Sequence, residues 1–179
     1  VTALQNGGAR TYLACMHARL FVFVRSILVS ALFVGLWLWL VPRWLAARRG
    51  AELLVGRPWA VAIMIVAAPF VLRCVWDFAT VGQGTPAPFD PPRRLVVRGL
   101  YRWVRNPMYL TFGAVFVGEA LLFPAVTRDM LVLVPILWVV ATIFVMLYEE
   151  PTLRRLFGSE YEEYTRNVHR WLPRLRPYA

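Results

Sequence analysis

Two polar clusters flank one apolar hairpin in this chain: Arg105-Asn106-Pro107 precedes it and Glu149-Glu150-Pro151 follows it. Between them lie two hydrophobic stretches, residues 108–126 and 130–148, joined by Thr127-Arg128-Asp129. Arg128 stands equally far from Pro107 and Glu149, so an antiparallel helix pair would return both clusters to one membrane edge. A guanidinium, two carboxylates and a free helix N-terminus meeting beside lipid suit a polar, charged ligand. Asn is a favoured N-cap, and Pro at the first helical position gives up a donor that has no partner there. Starting a helix therefore accounts for Asn106-Pro107, but not for Arg105, Tyr109 or the carboxylates opposite. Glu149 and Glu150 fall at the C-terminal end of a span, where acidic groups oppose the helix dipole. That placement favours a functional role over a solvated helix end. Arg105 could equally extend to lipid phosphate.

The elements that must hold these residues follow from hydropathy. Of 179 residues 59% are hydrophobic, and mean hydropathy is +0.55. A soluble domain of this size would have more apolar surface than its core could hold. A helix needs ~20 mostly apolar residues to cross a bilayer, and four segments qualify: residues 20–41, 59–80, 108–126 and 130–148. The expected fold is an all-α integral membrane protein of one domain. It has about four transmembrane helices and a C-terminal interfacial amphipathic segment. Segment 20–41 is too long for a secretory signal and lacks a small-residue cleavage site after it, which predicts a retained span. The basic residues concentrate on the side that places both termini in the cytoplasm.

All 20 basic residues are Arg, and the chain begins with Val, a pattern that points to a GC-rich bacterial gene and a bacterial cytoplasmic membrane. The net charge of +10 does not imply nucleic acid, because the arginines gather outside the spans as juxtamembrane charges do. Cys15, Cys74, His17 and His169 show no ligand spacing, so no metal is expected. Membrane lipids are the evident neighbours, and nothing in the sequence calls for an obligate protein partner.

Prolines and small residues over 85–92 predict a stiff loop after the second span. From Arg93 to Arg105 arginines alternate with apolar and aromatic residues, as in a basic surface at the headgroups. Arg73 and Asp77, four apart, predict a local ion pair, whereas Glu119 lies well inside the third span, where it could sit near the outer interface, be protonated or touch a substrate. Beyond Pro151, Leu153, Leu156, Phe157, Tyr161, Tyr164, Val168 and Trp171 recur at helical spacing. Gly158 should end one short helix, with Ser159 and Glu162 forming a capping box for the next.

Three motifs together resemble the isoprenylcysteine carboxyl methyltransferases and their phospholipid N-methyltransferase relatives. They are Leu95-Val96-Val97-Arg98-Gly99-Leu100-Tyr101 running on to Arg105-Asn106-Pro107-Met108-Tyr109, then Glu149-Glu150, then Gly158-Ser159-Glu160-Tyr161-Glu162-Glu163-Tyr164 continuing to Leu172-Pro173. The resemblance covers roughly residues 84–173. Asn106 stands where the family typically carries His, Thr111 where Gly often follows the Tyr, and Val145 near a basic substrate contact of eukaryotic members.

The resemblance implies S-adenosyl-L-methionine bound in a helical membrane fold, with no nucleotide-binding sheet. It also implies a cofactor site lined by Leu95, Val96, Tyr101, Asn106, Pro107, Met108, Tyr109 and Glu149, with Arg105 and Glu150 as catalytic candidates. Either Glu149 or Glu150 would neutralise the cofactor's positive charge, and Arg105 would hold a substrate oxygen or one of the two carboxylates. The acceptor would be a lipid or another lipophilic molecule presenting a carboxylate, amine or thiol. Two alternatives remain: an NADPH-dependent membrane reductase of the sterol-reductase kind, and a membrane scaffold without catalysis.

Overall fold

The computed structural model describes residues 35–82 and 92–178, with scattered helical residues between 20 and 32. The described residues are helical throughout their regular structure. The first helix, α1, is continuous over 35–48 and runs through Pro42, past the expected end at residue 41. A 3₁₀ turn at Pro58–Ala60 leads into α2, Val61–Asp77, which ends in a wide π turn at Phe78–Gly82. Next come α3, Pro107–Leu122, and α4, Thr127–Phe144. A second π turn, Val145–Glu149, joins α4 to α5, Glu150–Phe157, and α6 is Ser159–Asn167. α3 packs chiefly against α2 and secondly against α4.

Among the described residues two continuous helices are long and apolar enough to cross a membrane, Pro58–Gly82 and Pro124–Phe157. The third expected span is a shorter apolar helix, Pro107–Leu122, and much of the first, residues 20–41, lies outside the described residues. Cys15, His17 and nearly all of the stiff loop over 85–92 also fall outside them.

The hairpin turn sits earlier than expected. Thr127-Arg128-Asp129 forms the first turn of α4, and the reversal occurs at Phe123-Pro124, where Phe123 is extended (φ −111°, ψ 92°). A residue before proline avoids the helical region, and Pro124 cannot donate into the helix before it, so α3 stops there. Asp129 then lies where an acidic side chain suits a helix N-terminus, and it pairs with Arg49 beyond α1. The legs are consequently unequal: α3 has 16 residues, whereas α4 has 18 and continues into a π turn of 5.

The π turn has a local cause. Pro151 offers no N–H to the turn before it, and its ring would strike the carbonyl four residues back; a wider turn over Val145–Glu149 relieves both. The helix thus continues through Glu149-Glu150 instead of ending there.

Burial is divided among three clusters. Cys74, Val75, Val96, Tyr101 and Met108 pack at the polar end of α2 and α3. Ala46, Ala120, Val126 and Met130 pack at the hairpin turn. Tyr161, Tyr164 and Val168 bind the C-terminal helices to Leu95 and Val97. Large apolar side chains such as Ile65 and Leu147 stay exposed, at 66% and 75%, as expected of helices solvated by lipid.

The amphipathic face is largely as expected: Leu153, Phe157, Tyr161, Tyr164 and Val168 pack together. Leu156 points outward, and Trp171 lies beyond the end of α6, where Val168 is already extended (φ −122°, ψ 126°). Gly158 separates the two helices at a positive φ of 51°. The capping box does not form, because Gly158 takes the cap position and Glu162 pairs with Arg154 instead.

Arg73 Nε meets Asp77 Oδ2 at 3.0 Å, the expected local pair. Asp77 is fully buried, and the loop carrying the first motif closes over it at Gly99, whose φ is +56°. A Cβ at Gly99 would collide with the Asp77 carboxylate. Gly99→Ala should therefore cost at least about 2 kcal/mol, read as a lower thermal midpoint in detergent. In an Asp77→Ala background only the backbone component of about 1–2 kcal/mol should remain. Equal losses in both backgrounds would show that the collision contributes nothing.

Candidate functional site

The two polar feet of the hairpin meet. Tyr109, in the first turn of α3, donates its hydroxyl to Glu149 Oε1 at 2.6 Å. Arg105, just before α3, places Nη1 3.0 Å from Glu150 Oε1. Two consecutive glutamates on one helix thus face different partners, because successive helical positions point about 100° apart.

Glu150 is the better anchored. Arg170 grips it as a fork, with Nε 2.6 Å from Oε1 and Nη2 2.8 Å from Oε2. Its side chain is only 7% exposed, against 12% for Arg105 and 29% for Arg170. Hydrogen bonding to Glu150 also holds the Arg170 guanidinium above its ordinary pKa. Burial pushes the Tyr161 phenol up to about 12, with the Glu150 charge adding to the shift. Tyr161 therefore remains neutral beside Arg105. Glu149, by contrast, forms no ion pair among the described residues, and its recorded partner is the neutral Tyr109.

Asn106 occupies the expected cap position, but its side chain does another job. No side chain caps α3; Asn106 Nδ2 instead donates to the Arg170 carbonyl at 3.2 Å. Pro107 is the first residue of α3 and has no N–H, so the first-turn donors come from Met108 and Tyr109. That uncapped helix start lies beside the Tyr109–Glu149 pair.

The other expected residues divide between two packing faces. Val96, Tyr101 and Met108 belong to the buried cluster against α2, where Phe78 and Tyr101 place their ring centroids 5.5 Å apart. Leu95 faces the opposite way, onto Tyr161 and Tyr164. The Tyr101 carbonyl accepts from the Tyr164 hydroxyl at 2.7 Å, fixing α6 to the motif loop. The structure thus brings Arg105, Tyr109, Glu149 and Glu150 into one polar network. It places Val96, Tyr101 and Met108 in the adjoining apolar layer and Leu95 behind them.

Two participants were not among the sequence candidates. Arg170 supplies the fork on Glu150, and Trp171 packs edge-on against Tyr109 (6.0 Å, 87°) and against Trp138 of α4 (4.7 Å). Both lie in the irregular segment after α6. The Arg105 N–H donates to the His169 carbonyl at 2.9 Å, and the Arg174 N–H donates to the Trp103 carbonyl at 2.8 Å. Their signal was the run Arg170-Trp171-Leu172-Pro173 directly after the amphipathic stretch. Among the described residues no three His, Cys, Asp or Glu side chains gather as a metal site would require.

The phospholipid methyltransferase family model matches residues 56–160, more than half of the chain. That match begins well before the motifs and takes in α2, which the sequence comparison of motifs had left out. Two rice proteins, from Oryza sativa subsp. indica and subsp. japonica, are each named a probable protein-S-isoprenylcysteine O-methyltransferase. Each is 33% identical over 92 residues, covering 48% of this chain and 44% of the relative. The chain thus spans less than half the length of the curated relatives it matches. Both are plant proteins and lend no support to a bacterial origin. No solved structure matches the chain.

Arg170→Ala should destabilise the protein by roughly 1–3 kcal/mol, the range for hydrogen bonds to a charged group. In a Glu150→Gln background most of that loss should disappear, since the fork has lost its charged partner. Thermal unfolding of the four proteins in detergent gives the coupling; strictly additive losses would mean that Arg170 acts elsewhere.

Proposed function

This chain belongs to the phospholipid methyltransferase family, and from that premise we propose that it transfers a methyl group from S-adenosyl-L-methionine to a lipophilic acceptor held in the membrane. The observation that carries this reading is the pairing of opposites at the foot of the hairpin. An uncapped helix start lies next to a carboxylate that has no arginine partner among the described residues. Such a site takes a ligand bearing both an anionic and a cationic group, as the amino-acid end of this cofactor does.

In this reading the N–H groups of Met108 and Tyr109 receive the cofactor's carboxylate and Glu149 its positive charge. Tyr109 orients the Glu149 carboxylate through its hydroxyl. Val96, Tyr101 and Met108 form an apolar wall of the site. Leu95 supports that wall from behind through Tyr161 and Tyr164. Asn106 and Pro107 set the start of α3, and Asn106 also holds the strap carbonyl of Arg170. When bound, the cofactor supplies a methyl group already activated by its sulfonium. What is asked of the protein is alignment and exclusion of water, and alignment alone supplies up to ~7–11 kcal/mol in well-arranged cases.

Glu150 and Arg105 act in this scheme as a pair. Glu150, gripped by Arg170, fixes the helix turn that presents Glu149, and Arg105 completes the pair from the α3 side. The Arg105 Nε is buried without a hydrogen-bond partner, which leaves it one donor for an acceptor oxygen. The acceptor reaches the site from the bilayer. The rice relatives' names suggest a lipid-modified cysteine carboxylate, and the family description suggests a phospholipid headgroup. Both termini lie in the cytoplasm in this proposal.

Binding of S-adenosylhomocysteine to the purified chain in detergent tests the reading. Wild-type protein should bind it, and Glu149→Gln should weaken binding at least tenfold, about 1.4 kcal/mol. Tyr109→Phe should weaken it less, since the carboxylate stays. Retention of NADPH instead would replace this reading with the reductase, and retention of neither would favour the scaffold.

A further inference from the structure

The segment after α6 has two faces with different tasks. Its inward groups hold the site: Arg170 on Glu150, Trp171 against Tyr109 and Trp138, and backbone bonds to Arg102, Trp103 and Arg105. The Tyr178 N–H donates to the Arg102 carbonyl at 2.8 Å, and Arg102 Nε returns a bond to the Tyr178 carbonyl. The segment is therefore strapped along its length to the stretch that leads into α3.

Its outward groups touch almost nothing in the protein. Leu172 is 73% exposed and Leu175 98%, and Arg176 is exposed beside them. Trp103 and Leu156 are also exposed on the neighbouring elements, and so are Arg98, Arg154 and Arg155. This outward surface begins at Leu172, the residue after Trp171, and reaches Leu175 and Arg176, four and five residues beyond it. It also lies at the same end of the bundle as the polar feet of the hairpin. An apolar and cationic surface there complements an anionic lipid leaflet, with leucines entering the acyl boundary and guanidiniums meeting phosphate.

We propose that residues 172–176 dock on the anionic phospholipid leaflet, and that this docking holds the strap closed over the cofactor site. The coupling follows from the two faces: lipid that retains Leu172 and Leu175 also retains Arg170 on Glu150 and Trp171 on Tyr109. Closure then depends on the composition of the host membrane. The coupling rests on the methyl-donor reading above, whereas the docking does not.

The chain in nanodiscs of phosphatidylcholine alone, or with added phosphatidylglycerol, provides the test. Leu175→Cys carrying an environment-sensitive fluorophore reports docking, with the unsubstituted chain as labelling control. Its emission should shift to the blue in anionic discs and stay closer to the aqueous value in neutral ones. Emission that remains aqueous in both overturns the docking. S-adenosylhomocysteine should bind at least threefold more tightly to wild-type protein in anionic discs. That gain should be lost in Leu172→Ser/Leu175→Ser, whose thermal midpoint in detergent should match wild type because these side chains pack against little. An affinity indifferent to lipid, or a gain that survives the double substitution, overturns the coupling. Absence of binding in every disc overturns the coupling together with the methyl-donor reading, while the fluorophore still decides the docking.

Discussion

The Glu150 carboxylate ties together three parts of the chain that are far apart in sequence. It sits on the long helix that begins at the hairpin turn, and it is held by Arg105 at the threshold of α3 and by Arg170 from the C-terminal strap. A carboxylate so deeply buried would be strongly unfavourable alone, and pairing one acid with two guanidiniums is what makes its position tolerable. The fork of Arg170 also fixes direction, which a lysine's single point charge would not. Removing Glu150 leaves two guanidiniums without their carboxylate, and removing Arg170 takes away both bonds of the fork. The strap, the motif loop and the helix turn therefore hold their places jointly.

That polar knot is needed because the rest of the molecule has no single core to rely on. Its buried side chains form three small clusters at different heights, and much of the remaining apolar surface is exposed. In lipid such surface is already solvated, so burying it provides little drive to bring helices together. Specific contacts must set the register instead. The closure of Gly99 over Asp77 and the Glu150 network supply two of these at the same end of the bundle.

What the sequence disclosed follows this division. Residue types with strong local consequences were legible: the Arg73–Asp77 pair, the helix start at Pro107, the break at Gly158 and the convergence of the hairpin feet. Features decided by competition were not. The turn moved to Phe123-Pro124 because a proline overrides a polar triplet that a helix start can absorb. Asn106 gave up its cap to bind a strap carbonyl 64 positions away. The capping box lost Glu162 to Arg154. Trp171 was read as part of the amphipathic face and Arg170 was not singled out, because α6 ends at Asn167 and beyond it helical spacing no longer says what faces what. The length of the hairpin legs was likewise invisible, since an apolar run does not reveal where a wide turn will absorb a proline.

The adjacency of Glu149 and Glu150 gains its sense from that same proline. Two carboxylates side by side repel each other, and on an ordinary surface helix they would simply face water. Here the wide turn that accommodates Pro151 ends at Glu149, and the step of about 100° from Glu149 to Glu150 points one carboxylate to Tyr109 and the other to the arginines. The arginines bond Glu150 and not Glu149, whose hydrogen bond comes from Tyr109. One glutamate can then be fixed as structure without consuming the other. A motif of two acids and a proline thus separates holding from binding within a single helical step, and neither acid alone could serve both ends.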